Sequence, residues 1–255
     1  VTNAGGPAIM ATDALLAAGM HVEQDALYPD LAFSLPVPEV ARSARKPGTV
    51  AVGVFSHKSR GVHHHTDMAE YRDYLEKMGR LVLHLLSRKK RVRLVIGDTS
   101  DIPVVEDLKA WLAARESAPF ESEPAQSVDQ VMAQLAEAEM VVATRYHNVL
   151  LALRMGIPVV SIAYEGKNDA LMNTLGLGEY CQSIDTFELP ALIEQVERME
   201  AASQELAPRI AMQADVFRLQ LDTQYARLFG LGEQPEREPH VRKPTPSGLP
   251  LSARR

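Results

Sequence analysis

Cysteine is nearly absent. Cys181 stands alone among 255 residues, which excludes an internal disulfide and any multi-cysteine zinc site and suits a reducing compartment. No apolar run reaches the roughly 18 residues of a bilayer-spanning helix. The apolar stretch in residues 1–19 lacks the basic lead-in of a signal peptide, so a cytoplasmic location is expected. Basic charge is not in excess either: 27 Lys and Arg face 33 Asp and Glu, a net charge of −6. That excludes the domain-wide positive field of a dedicated nucleic-acid or anionic-membrane binder. Residues 50–56 hold no G-x-G-x-x-G, and no G-x-x-x-x-G-K-[ST] occurs anywhere, so the usual dinucleotide and P-loop signatures are missing. What remains is ordinary in composition, with 46% hydrophobic and 24% charged residues, enough for one or two globular domains.

The order of elements carries more. The chain begins at Val1 rather than Met, so it starts at an alternative codon or inside a longer chain. A helix is expected over 9–18, then a connector punctuated by Pro29, Pro36, Pro38 and Pro47. Residues 1–48 therefore read as a remnant or linker. From 49 to 230 strands and helices alternate. Apolar runs at 50–55, 92–96, 140–143 and 159–162 predict four strands. Between them, apolar residues three and four apart predict helices over 67–87, 101–115, around 128–135, 147–155 and 168–175. Asp101 sits where an N-cap belongs, with Pro103 in the first turn. Two further helices are expected, one around 189–199 and a long one over about 204–229. Alternating elements imply an α/β fold with a doubly wound, Rossmann-like parallel sheet. Residues 231–255 contain five prolines and carry a net charge of +2; a disordered tail is expected there.

In open α/β sheets ligands bind beyond the carboxyl ends of the strands. The first strand-end loop holds His57, Lys58, Arg60, His63, His64 and His65, the loop at 144–148 holds Arg145 and His147, and the loop at 163–167 holds Lys167. Three cationic loops on one rim of an acidic protein point to a small anionic ligand, a phosphate foremost, helped by the helix start near His147. Plainer readings stand beside this one. Arg145 could simply pair with a carboxylate, His147 could hydrogen-bond at a helix start, and Lys167 could be a solvated surface lysine. Adjacent histidines on one loop rarely all face one ion, so no metal is expected at His63–His65. The run Arg88-Lys89-Lys90-Arg91 fits a helix C-terminus better than a nucleic-acid patch. Cys181 reads as a small buried residue.

The stretch ATRYHNVLLALRMGIPVVSIAYEGKNDALMNTLGL at 143–177 resembles the signature region of polysaccharide pyruvyl transferases. It holds an Arg-x-His element (Arg145, His147), a Gly156-Ile157-Pro158 turn into a strand, and a Tyr-x-x-Lys turn (Tyr164, Lys167). Residues 28–36, 50–55 and 92–98 resemble the family in the same order, so the likeness runs from about 25 to 230. It implies the C-terminal half of a glycosyltransferase-B-like fold, since the family's plan places a full α/β domain ahead of this one. It also implies transfer of the pyruvyl unit of phosphoenolpyruvate to a sugar hydroxyl pair as a ketal, in exopolysaccharide or cell-wall polymer synthesis. The acceptor would be a saccharide or lipid-linked sugar, and no cofactor beyond the donor substrate is expected. Arg145, Lys167, Lys58, Arg60, Tyr164 and Asn148 are assigned to substrate, and His147 to acid–base catalysis, because imidazole titrates near neutrality. Two other functions compete. A nucleotide-sugar glycosyltransferase would need a base-and-ribose pocket, with Glu165 and Asp169 as the nearby carboxylates. A non-catalytic half-domain would act as a binding module with a partner.

Overall fold

The computed structural model describes residues 28–38, 44–56, 68–115 and 120–230. Six strands form one parallel sheet: β1 (Thr49–Gly53), β2 (Arg91–Leu94), β3 (Glu121–Ser122), β4 (Met140–Ala143), β5 (Val159–Ala163) and β6 (Cys181–Ser183). Their spatial order is β3-β2-β1-β4-β5-β6, and all five pairings are parallel. Every residue of β1, β4 and β5 is buried. That is why these strands read as unbroken apolar runs rather than alternating ones. The order reverses between β1 and β4, where β1–β2–β3 grow one way and β4–β5–β6 the other. A crevice is expected at that reversal, outside the carboxyl ends of the strands.

The helices are α1 (Met68–Ser87), α2 (Ile102–Ala113), α3 (Val128–Ala136), α4 (Tyr146–Arg154), α5 (Gly166–Thr174) and α6 (Leu189–Leu228). Tyr74, Met78, Leu81, Val82 and Leu85 give α1 its buried stripe. Ser127 caps α3, its hydroxyl accepting from the amide of Gln130, as the side chain of an N-cap serine does. The last turn of α4 is closed by Gly156 at φ +67°. The amide of Ile157 reaches the carbonyl of Ala152 at 2.9 Å and that of Gly156 reaches Leu153 at 3.0 Å, the Schellman arrangement that favours glycine. A Cβ at Gly156 would also lie 2.8 Å from the Cβ of Ala211, so α6 crosses here at close range.

Three expectations change. The two helices expected at 189–199 and 204–229 are one continuous helix, α6, with Pro208 inside it. Proline costs one helical hydrogen bond, but Leu192, Val196, Met199, Leu206, Ile210, Phe217 and Leu221 bury along the whole length. The strands β3 and β6 were not anticipated, because two and three residues without an apolar pattern carry no periodic signal. Within the expected linker, residues 28–38 pack onto the domain. Phe33, 1% exposed, meets Phe217 edge to face at 4.9 Å between centroids, and the buried Arg154 donates from Nε to the carbonyl of Leu35 at 3.1 Å.

The basic run behaves as a helix end, with Arg88 pairing with Glu197 at 3.0 Å and Lys90 with Glu200, both on α6. Among the described residues no helix is long and apolar enough to cross a membrane. The expected helix at 9–18 and the expected disordered tail at 231–255 lie outside the described residues.

Candidate functional site

Four chain segments leave the carboxyl edge of the sheet and converge. After β1 come Phe55 and Ser56; after β2 comes a 3-10 turn, Thr99–Asp101; after β4 comes Arg145; after β5 come Tyr164 and Glu165. The carboxylate of Asp98 caps the 3-10 turn by accepting from the amide of Ser100. The hydroxyl and amide of Ser100, with some help from the charge of Arg145, hold the Asp98 carboxyl below its usual range.

Asp101 does not use its side chain as a cap for α2, contrary to the sequence expectation. Its carboxylate, fully buried, turns inward instead. It accepts from the amide of Ser56 at 2.8 Å and from Arg145 twice, Nε to Oδ2 at 2.7 Å and Nη2 to Oδ1 at 2.8 Å. Nη2 of Arg145 also donates to the hydroxyl of Ser100 at 2.8 Å. The guanidinium lies over the ring of Phe55 at 4.5 Å. Burial works against its charge, but the Asp101 carboxylate outweighs burial and raises the arginine's pKa. The plain reading of Arg145, pairing with a carboxylate, thus describes its contacts within the chain.

A second layer sits beside the first. Phe55 and Tyr164 stack with centroids 4.4 Å apart and planes at 22°. Over Tyr164 and Tyr146 lies the ammonium of Lys167, at 5.5 and 5.1 Å from the two centroids. Lys167 pairs with Glu165 at 3.1 Å. Partial burial works against its charge, and Glu165 and Tyr164 overcome that to raise its pKa. Burial and the neighbouring Asp30 push the Tyr146 phenol far up, so the packed segment 28–38 reaches the rim of the site. Tyr74 ties the layers below: its buried hydroxyl accepts from the amide of Phe55 at 3.0 Å and bonds Thr144 Oγ1 at 3.0 Å.

His147 is exposed on the first turn of α4, its ring against that of Tyr146 at 5.4 Å. The residue at the helix N-cap, Arg145, makes no side-chain cap, leaving the positive end of the dipole beside His147. Asn148 is almost wholly buried, at 1% exposure, and among the described residues neither its Oδ1 nor its Nδ2 meets a hydrogen-bond partner. It lies between two glycines at the ends of neighbouring strands. A Cβ on Gly53 would come within 2.8 Å of its Nδ2, and one on Gly97 within 2.7 Å of its Cγ.

The structure thus brings together Arg145, His147, Asn148, Tyr164 and Lys167. Lys58, Arg60 and the histidines at 57 and 63–65 lie outside the described residues. Both described cations of the rim carry a carboxylate partner, which a count of basic residues in the loops did not register. Sequence reasoning missed Asp101 and Phe55 as site residues. The available signal was position alone: Phe55 ends the strand predicted at 50–55, and Asp101 closes the loop after the strand predicted at 92–96. The carboxylates considered for a ribose are engaged: Glu165 with Lys167, and Asp169 with the thiol of Cys181 at 3.3 Å. Among the described residues no three His, Cys, Asp or Glu side chains group as a metal ion would need.

Among the solved structures similar to the chain are two glycosyltransferases. One is a mutant O-GlcNAc transferase of Thermobaculum terrenum, at 18% identity and a TM-score of 0.43, covering 77% of this chain and 39% of its own. The other is the glycotransferase of kitacinnamycin, at 19% identity and a TM-score of 0.36, covering 82% of this chain and 46% of its own. The chain thus spans less than half the length of either. No curated protein matches it. The polysaccharide pyruvyl transferase family matches over residues 15–166, a span that takes in Asp101, Arg145, His147, Asn148 and Tyr164 and stops one residue before Lys167. With more than half its length matched, including the strand ends that build the site, the chain belongs to the polysaccharide pyruvyl transferase family.

Proposed function

We propose that this chain carries the donor site of an enzyme that moves the pyruvyl unit of phosphoenolpyruvate onto two hydroxyls of a sugar, as the C-terminal half of a two-domain, glycosyltransferase-B-like protein. One arrangement supports the reading. A fixed guanidinium (Arg145) and an exchangeable ammonium (Lys167) flank the Phe55–Tyr164 stack at the reversal of strand order, beside the uncapped start of α4. The donor brings a phosphate and a carboxylate. Lys167 can exchange Glu165 for one of them at little cost, because an ion pair this exposed is worth about 0–1 kcal/mol. Arg145 keeps Asp101 and offers its charge from a set position.

The chemistry balances with one acid–base group. A proton is added to the methylene carbon of the donor, making it a methyl group, as the first sugar hydroxyl attacks the central carbon. The second hydroxyl then displaces phosphate, closing the ketal. Of the two hydroxyl protons, one replaces the proton spent on the methylene and the other leaves with phosphate. We assign the proton transfers to His147, a reading supported by its exposure at the helix start and by an imidazole's ability to titrate near neutrality. The departing phosphate remains beside Lys167 and the helix dipole, which offset its charge.

Calorimetry separates this reading from a nucleotide-sugar enzyme. Phosphoenolpyruvate should bind, and Arg145→Ala should weaken it by roughly one to two decades, the loss of one charge-assisted contact. Binding of UDP with none of phosphoenolpyruvate would overturn the proposal.

A further inference from the structure

The carboxylate of Asp101 gathers three loops. Its donors are the amide of Ser56, which follows β1, and two nitrogens of Arg145, which follows β4, while Asp101 itself follows β2. One buried group thus bridges the strand reversal from both sides. Nothing in the helix requires it there. Asp101, the N-cap residue of α2, makes no side-chain cap bond, and Asp98 already caps the preceding turn. Burying an ion pair gains the fold little, since an apolar pair of the same shape commonly serves as well or better. What the fork does supply is orientation. Two parallel N–H···O bonds set the guanidinium plane, the Ser100 hydroxyl fixes its rotation at Nη2, and the Phe55 ring supports its face.

We propose that Asp101 is a positioning residue, which holds the guanidinium of Arg145 in the one orientation that binds the donor anion. The proposal rests on the reading of Arg145 as a donor contact. It has a consequence of unusual sign. Removing the charge of Asp101 makes the site more positive, which by simple electrostatics tightens an anion. It also releases the guanidinium, which loosens one. Positioning requires that loosening win.

The test compares the full chain with Asp101→Asn, which keeps the shape and removes the charge. Phosphoenolpyruvate should bind about tenfold more weakly to the variant, the worth of one charge-assisted contact, at a temperature where both proteins are folded by circular dichroism. Unchanged or tighter binding in the folded variant overturns the proposal, because a merely structural carboxylate leaves affinity alone and a counter-ion raises it when removed. A second readout needs no ligand. Modification by phenylglyoxal, mapped by mass spectrometry, should be slow at Arg145 in the parent and at least about tenfold faster in Asp101→Asn, as the held guanidinium is released. Equal labelling rates refute positioning. Slow labelling of a parent that binds no phosphoenolpyruvate, released in the variant, overturns the donor reading and leaves the positioning role standing. If Asp101→Asn does not fold, Ser100→Ala carries the same two measurements, with a weakening of roughly two- to fivefold for a neutral acceptor; no change in either then overturns the proposal.

Discussion

The packing of Asn148 between Gly53 and Gly97 makes a sharp prediction. Gly97 does not have a positive φ, so alanine is compatible with its backbone and by chain entropy alone would stabilise by about 0.4–1 kcal/mol. The obstacle is contact. A Cβ at Gly97 would lie 2.7 Å from both Cγ and Nδ2 of Asn148, and the amide, 1% exposed, is packed within the core and has little room to retreat. Relief takes a shift of roughly 1 Å by the first turn of α4 or the end of β2, and overpacking of this kind costs about 1–3 kcal/mol. Gly97→Ala should therefore destabilise by about 1–2 kcal/mol net of the entropy gain. Asn148→Ala should change stability little. It deletes two buried polar atoms that meet no partner among the described residues, whose desolvation costs about 1–3 kcal/mol each, and leaves a small cavity, so the two effects nearly cancel. In the double variant the new methyl group takes the vacated space, and stability should return to within about 0.5 kcal/mol of the parent. The resulting coupling of roughly 1–2 kcal/mol is typical of residues in contact. Urea unfolding followed by the fluorescence of Trp111, the one tryptophan of the chain, and by circular dichroism measures all four corners. Additive single effects, or an Asn148→Ala loss above about 2 kcal/mol, would show that the amide is hydrogen-bonded and that the argument fails.

Other parts of the molecule are equally open to measurement. His147→Ala should lower turnover by about two to four decades while leaving phosphoenolpyruvate affinity largely intact, read by steady-state kinetics with calorimetry alongside; normal turnover would remove the histidine from the mechanism. Cys181, expected from the sequence to be buried, is half-buried, and partial burial with Asp169 pushes its thiol up to about 12, so only about one thiol in ten thousand is ionised at pH 8. A chromogenic disulfide should therefore react far more slowly with the native chain than with the urea-unfolded one, and equal rates would contradict the suppressed ionisation. Burial also pushes the Glu137 carboxyl up, yet Lys46 at 2.8 Å and Arg93 at 2.6 Å outweigh it and hold the group below its usual range. A carboxyl lowered in the folded state stabilises above its unfolded pKa and loses that contribution as pH falls through the folded one. Glu137→Gln should then cost about 1–3 kcal/mol at pH 7, and the gap to the parent should close in acid; a gap that persists at pH 2 would point to packing instead.

The fold was legible wherever one segment carries its own periodic pattern. Buried parallel strands are apolar on both faces, so β1, β2, β4 and β5 announced themselves as short β-branched runs, and α1 to α5 showed their stripes within a residue or two of their ends. The strand-end rule also brought Arg145, His147 and Lys167 to one rim, and the family resemblance added Asn148 and Tyr164. Pattern failed where pairing, not composition, makes the element. Glu121–Ser122 and Cys181–Ser183 are strands because β2 and β5 offer them a hydrogen-bonding edge, and α6 runs through Pro208 because its buried face repays the lost bond. The site departed from its sequence reading for the same reason. Counting cations along the loops is a local operation, and Asp101 lies 44 positions from Arg145. Only closure of the sheet, with β1 between β2 and β4, brings that carboxylate under the guanidinium. The sequence by itself determined the elements that carry their own periodic pattern and the sheet edge on which the cationic loops gather. Tertiary structure decided which charges on that edge are already spoken for, because ion pairing depends on distance in space, and distance across a strand reversal is not written in any one stretch of chain.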